Sequence, residues 1–167
     1  MRRSVSAVVL GLCLGATPLL LVGCNTSSST PFAAQDVILT NTSVTLSGAN
    51  EVPPITSAAT GTASASLNVS QGILTVTGTF SNLSSPLFPV GTVGAGHVHV
   101  GAAGANGPVK FMLMVEPDAT GLSGTFSLTQ EGLTAEEITE AQSGLYYINL
   151  HSQNFNSGEL RGQITFN

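Results

Sequence analysis

Basic residues and tryptophan are the two most conspicuous shortages in this chain. Its 167 residues contain only four Lys and Arg together against nine Asp and Glu, and no Trp at all. A chain with so few basic residues has no positively charged surface with which to bind nucleic acid or an anionic lipid surface. Because 42% of the residues are hydrophobic, the composition is that of a folded domain and excludes a disordered chain.

The first 24 residues predict export. Met1–Arg3 is a short basic start, and the apolar stretch from Val5 to Val22 is too short and wrongly flanked for a stable membrane-spanning helix. We therefore predict a signal peptide over residues 1–23. Leu21–Cys24 resembles the lipobox of bacterial lipoproteins. That resemblance implies a diacylglyceryl group on Cys24 and an anchor on the extracytoplasmic side of a bacterial membrane. An ordinary secretory signal cleaved nearby is the alternative.

Cysteine is scarce as well, and both cysteines fall outside the predicted domain. Cys13 lies within the leader and Cys24 is the predicted lipid acceptor. Residues 24–35 form a Ser/Thr-rich tether, and residues 36–167 form the folded domain. The domain therefore has no cysteine chemistry, no thiolate metal site and no disulfide.

Short alternating segments separated by Gly and Pro turns fill residues 36–167 and predict strand after strand. The most apolar run, Val109–Val115, is predicted to be a central strand. Met112 and Met114 are then expected to pack in the core, although thioethers could also bind cuprous ion. One short helix is predicted after Thr134, because Thr134 and Glu137 form a capping box. The fold class is an all-β antiparallel sandwich, Greek-key and immunoglobulin- or superoxide dismutase-like, with this one helix.

All three histidines of the chain lie in two strand-like segments, Gly96–Gly101 (GHVHVG) and Tyr147–His151. Side chains two apart in a strand point to the same face, so His97 and His99 can aim at one point. With His151 from a neighbouring strand they predict a site for one copper ion, with zinc as the alternative metal. In the competing interpretation the imidazoles bond main-chain carbonyls and fix the edge of the sandwich.

Three further residues are candidates for supporting roles. Asn149 or Glu51 could accept a hydrogen bond from the second nitrogen of a ligating imidazole. Glu51 precedes two prolines, which could hold it rigidly near a site. Arg161 would be one of two cations left in the domain, which suggests a role in guiding an anion.

Taken in order, these segments resemble the chordin-domain (CHRD) family over about residues 36–167. The matching segments are Leu46–Pro54, Gly61–Ala63, Gly96–Gly101, Asn106–Val109, Gly144–His151 and Ser157–Ile164. The resemblance implies an extracytoplasmic β-sandwich module and leaves its activity open. Growth-factor binding, known for the animal chordins, is not carried over to a bacterial lipoprotein.

A fainter resemblance is to the copper/zinc superoxide dismutases. It would match His97 and His99 to two copper ligands, His151 to a third, and Arg161 to the arginine that attracts the anion. The chain has no bridging histidine, no zinc cluster and no structural disulfide. The leading hypothesis is thus a lipid-anchored CHRD protein that binds one metal ion. A non-catalytic structural or adhesive interaction module comes second, and a dismutase-like redox enzyme third.

Overall fold

The structure is a computed structural model that describes residues 35–89 and 94–166. The predicted leader, Cys24 and the tether up to Ala34 lie outside the described residues. The strands are β1 (Ile38–Ser47), β2 (Thr60–Asn68), β3 (Ile73–Ser81), β4 (Gly96–Val100), β5 (Val109–Met112), β6 (Met114–Pro117), β7 (Gly124–Gln130), β8 (Tyr146–Leu150) and β9 (Leu160–Gln163). The helix α1 spans Ala135–Gln142, and a 3-10 turn spans Gly48–Asn50.

The nine strands form one sheet in the order β5-β4-β8-β9-β1-β2-β3-β7-β6, and every pairing is antiparallel. The edge strands β5 and β6 follow each other in the chain with only Leu113 between them. The sheet therefore curls until its two edges are neighbours along the backbone. The predicted antiparallel all-β class with one short helix is confirmed.

The prediction that Val109–Val115 is one central strand is wrong. The segment divides at Leu113, and its halves occupy the two edges of the sheet. Met112 is 45% exposed and Met114 is 63% exposed, so the expected core packing of the two methionines is wrong as well. An edge strand has only one hydrogen-bonded neighbour, and its side chains can remain in solvent however apolar the sequence is.

The helix begins as the sequence predicts. The Thr134 side chain accepts a hydrogen bond from the Glu137 amide, and the Glu137 side chain accepts one from the Thr134 amide. These reciprocal bonds satisfy two donors that a helix start leaves open. Lys110 of β5 pairs with Glu137 and Glu140 at N···O distances of 3.3 and 3.1 Å. Within the described ranges, no helix has the length and apolar character needed to span a membrane.

Strands β4, β8 and β9 lie side by side and have two faces of opposite character. One face, which includes Val98, Ile148 and Leu160, is buried in the hydrophobic core. The other face carries histidine, tyrosine, asparagine and arginine at the alternate positions. The two-residue period of a strand thus places the candidate site on the far side of the sheet from the core.

Candidate metal centre

Two rows of paired residues build the polar face. His97 of β4 lies opposite Asn149 of β8, which in turn lies opposite Arg161 of β9. One step along, His99 lies opposite Tyr147. Residues that are opposite each other in antiparallel strands share a face and come within side-chain contact. The pairing register therefore gathers residues that are more than 60 positions apart in the sequence onto one small patch of sheet.

The three histidines meet at one end of this face. Nδ1 of His97 lies 3.1 Å from Nε2 of His151, and potential ligand nitrogens of all three rings lie within 4.8 Å of one another. His97 is 1% exposed and His151 is 5% exposed, whereas His99 is partly exposed. The sequence prediction that these rings converge is confirmed by this geometry.

Main-chain carbonyls fix the orientation of two of the rings. Nδ1 of His99 lies 3.0 Å from the carbonyl oxygen of Gly107, and Nδ1 of His151 lies 3.0 Å from that of Asn156. A carbonyl can only accept, so each Nδ1 carries the hydrogen and each Nε2 keeps its lone pair in the neutral ring. The Nε2 of His99 is buried and has no hydrogen-bond partner among the described residues.

Burial keeps these rings neutral. It lowers the pKa of His151 to about 4, and the nearby His97 acts in the same direction. Burial also lowers the pKa of His99, with the Gly107 hydrogen bond acting in the opposite direction. At neutral pH both rings are therefore uncharged, and a neutral imidazole is the form that ligates a metal ion.

The ring of Tyr147 connects the histidines to Arg161. His99 stacks on it with ring centroids 4.8 Å apart and an interplanar angle of 8°. The guanidinium carbon of Arg161 lies 3.6 Å from the centroid of the same ring. Because His99 and Arg161 come from the strands on either side of β8, the tyrosine ring lies between them and fixes the position of His99.

Arg161 also holds the 102–106 loop, which lies beside the site. Its guanidinium donates hydrogen bonds to Oδ1 of Asn106 at 3.1 Å and to the carbonyl oxygens of Ala105 and Ala102 at 2.7 and 3.4 Å. Asn106 in turn donates to the carbonyl oxygen of Val52 at 2.8 Å. Arg161, only 2% exposed, therefore ties together two loops. Its predicted role in guiding an anion stays a prediction.

Glu51 and Asn149 bond to each other. The Asn149 side-chain amide donates to Oε1 of Glu51 at 2.7 Å and to the carbonyl oxygen of Leu160 at 3.2 Å. Burial raises the pKa of Glu51 to about 7, although the Asn149 hydrogen bond and the charge of Arg161 act to lower it. For His99 and His151 the second-nitrogen acceptors are main-chain carbonyls, so neither Glu51 nor Asn149 has that role for these two rings. That either residue supports a ligating imidazole stays a prediction.

A pocket of about 210 Å³ adjoins the cluster at His99. Glu51, Tyr147, Asn149 and Ser157 are among the residues that line it. The pocket is large enough for a small molecule or several water molecules next to the His99 side chain.

The stacked ring of Tyr147 was not predicted from the sequence. Bonds from imidazoles to main-chain carbonyls were predicted in the competing interpretation, but the particular carbonyls, those of Gly107 and Asn156, were not. A tyrosine two positions before Asn149 in an alternating strand shares its face, and this spacing could have placed Tyr147 in the site. Nothing in the sequence identifies a particular main-chain carbonyl as the partner of an imidazole.

The antiparallel sheet, with a histidine cluster on its polar face, defines an all-β domain with a candidate metal centre. The family model of the CHRD domain matches residues 42–164, a range that includes every described strand from β2 to β9 and all three histidines. The chain belongs to the CHRD domain family, as the resemblance of its sequence segments predicted. No curated protein and no solved structure matches the chain significantly.

Proposed function

We propose that this protein binds one metal ion through His97, His99 and His151. The observation that supports the proposal most directly is the approach of three imidazoles whose candidate ligand nitrogens lie within 4.8 Å of one another. Two of these rings are neutral and already have their Nδ1 hydrogens bonded to carbonyls. Such outer hydrogen bonds are the usual support of a histidine ligand.

The distances allow a metal ion with a modest adjustment. Imidazole nitrogens bind zinc at about 2.0–2.1 Å, which places two ligands roughly 3–3.4 Å apart. The 3.1 Å separation between His97 and His151 already falls in that range. Even at the 4.8 Å limit, a nitrogen would need to move by only about 1.5 Å to complete the set.

Copper is the preferred ion and zinc is the alternative. Three imidazoles suit both metals, and affinity for divalent ions of the first transition row is highest for Cu(II). Three protein ligands leave a coordination position open, and a pocket that could hold a small molecule adjoins His99. A non-catalytic interaction module is the second candidate, and the absence of metal binding would favour it.

Titration with Cu(II), and separately with Zn(II), at pH 7 tests the proposal, with the full-length protein carrying Cys13→Ala and Cys24→Ala so that no thiol binds the metal or reduces it. We expect one ion per chain for each metal. Bound Zn(II), which is diamagnetic, should shift the NMR signals of Nε2 in His99 and His151 while both Nδ1 hydrogens remain. Because the chain has no fourth histidine, these signals identify the site without ambiguity.

His99→Ala is the variant that tests the site, because His99 is the least buried of the three rings and its removal disturbs the fold least. It should weaken binding while leaving the fold intact, whereas replacing all three buried and half-buried rings could unfold the protein. The metal site would be contradicted if the NMR signals of the imidazole nitrogens did not shift. It would also be contradicted if wild type and a folded His99→Ala variant bound the metal ion with equal affinity.

The proposal also includes export and lipid attachment at Cys24. Its support is the order of basic, apolar and cysteine-containing segments in residues 1–24. We expect cells fed radioactive palmitate to label the wild-type protein and not Cys24→Ala. The matched control is Cys13→Ala, which removes the other cysteine and should leave labelling unchanged. Equal labelling of wild type and Cys24→Ala would show that Cys24 is not the acceptor.

A further inference from the structure

Two methionine thioethers lie exposed beside the histidine face. Met112 ends β5 and Met114 begins β6, with the buried Leu113 between them. Met112 is 45% exposed and Met114 is 63% exposed, so neither side chain packs in the hydrophobic core. Of the three methionines in the chain, Met1 is the only other one.

The strand register places Met112 next to the candidate metal centre. Met112 lies directly opposite His97 in the pairing of β4 with β5, whereas Phe111 lies opposite the core residue Val98. Opposite residues share a face, with Cβ atoms about 4.5–5.5 Å apart. Met112 is therefore on the histidine side of the sheet, at its outer edge.

Met114 lies on the same side as Met112. Leu113 is buried in the core and Val115 packs against it, whereas Met112 and Met114 are exposed, so the side chains alternate through this connection. The amide of Leu113 donates to the carbonyl oxygen of Gly96 in β4 at 3.0 Å. Side chains two positions apart in an extended chain point the same way, roughly 6–7 Å apart. Methionine has three rotatable side-chain bonds, so both sulfurs can turn toward one ion.

Thioether sulfur is a soft and uncharged ligand that selects Cu(I) over hard or divalent ions. We propose that Met112 and Met114 form a surface site for a soft monovalent cation, Cu(I), at the edge of the histidine centre. The proposal deepens the proposed function, because it specifies the oxidation state in which copper reaches the protein. Binding by the two sulfurs is nevertheless independent of the histidines and can be tested separately.

The probe is Ag(I), which has the charge and softness of Cu(I) without its redox chemistry. The full-length protein, with Cys13→Ala and Cys24→Ala so that no thiol competes for the soft ion, is labelled with ¹³C in the methionine methyl groups and titrated with Ag(I). We expect the methyl signals of Met112 and Met114 to shift together and to saturate near one equivalent. The Met1 methyl is the internal reference, and a Zn(II) titration of His99→Ala, whose histidine centre is weakened, should leave both signals in place.

A Met112→Leu/Met114→Leu variant supplies the quantitative test, because leucine has nearly the volume of methionine and should preserve the fold. We expect its affinity for Ag(I) to fall by about tenfold or more. Unchanged affinity, or methyl signals that do not move, would overturn the thioether site. In His99→Ala the methyl response should persist, so failure of the histidine centre and failure of the thioether site are distinguishable.

Discussion

Arg161→Met is expected to lower the free energy of unfolding by about 3 kcal/mol, the largest loss of stability that we predict from one substitution. The buried guanidinium makes three hydrogen bonds to the 102–106 loop and lies 3.6 Å from the centroid of the Tyr147 ring. Methionine retains much of the length and apolar volume of the side chain but none of its donors. The loop would lose its attachment to β9, and Tyr147 would lose the cation on its ring.

Lys110→Met is the matched control for Arg161→Met. It removes the other cation of the described residues, whose ion pairs with Glu137 and Glu140 are partly exposed. Such a pair contributes at most about 1 kcal/mol, so this variant should remain close to wild type in urea denaturation. Equal losses in the two variants would show that the guanidinium contacts do not stabilise the fold. Arg161→Lys should also be destabilised, because an ammonium cannot reproduce the planar contacts.

Glu51→Gln is expected to change how stability depends on pH. In the folded protein the pKa of Glu51 is raised from 4.5 to about 7, so between these values the folded state holds a proton that the unfolded state releases. The stabilisation from this group is therefore complete below pH 4.5 and is lost as the pH rises through 7. Glutamine stays neutral throughout and keeps an oxygen that can accept the Asn149 hydrogen bond.

The stability of Glu51→Gln relative to wild type should therefore rise by roughly 2–3 kcal/mol between pH 5 and pH 8. Urea denaturation at a series of pH values, with a chelator present, measures this difference. Glu131→Gln, at an exposed carboxylate, controls for the loss of one negative charge. A constant difference between Glu51→Gln and wild type across the series would mean that Glu51 is ionised at neutral pH.

The parts of the fold that local chemistry decides were predictable from the sequence. The capping box at Thr134 and Glu137 needs only a spacing of three residues, and the helix starts where that spacing predicts. The alternation of His97, Val98 and His99 likewise assigns each side chain to a face. The sequence thus revealed which residues share a face within a strand and where the helix begins.

Features that depend on pairing between distant segments were not predictable. The Val109–Val115 run has the composition of a central strand, but the register brings its two halves to opposite edges of the sheet. The acceptors for His99 and His151 are carbonyls, which every residue possesses and which composition cannot distinguish. The hydrogen bond between Asn149 and Glu51 joins residues 98 positions apart, and the sequence around either residue does not indicate it.

The opposite character of the two faces of β4 and β8 has a consequence for how such a domain can diverge. Substitutions at Val98 and Ile148 act on the core, whereas substitutions at His97 and His99 act on the polar face. A descendant of this protein could therefore exchange one chemistry for another, or abandon it, through changes at alternate positions of two strands. Such changes would leave the hydrophobic core itself intact, because none of those positions belongs to it.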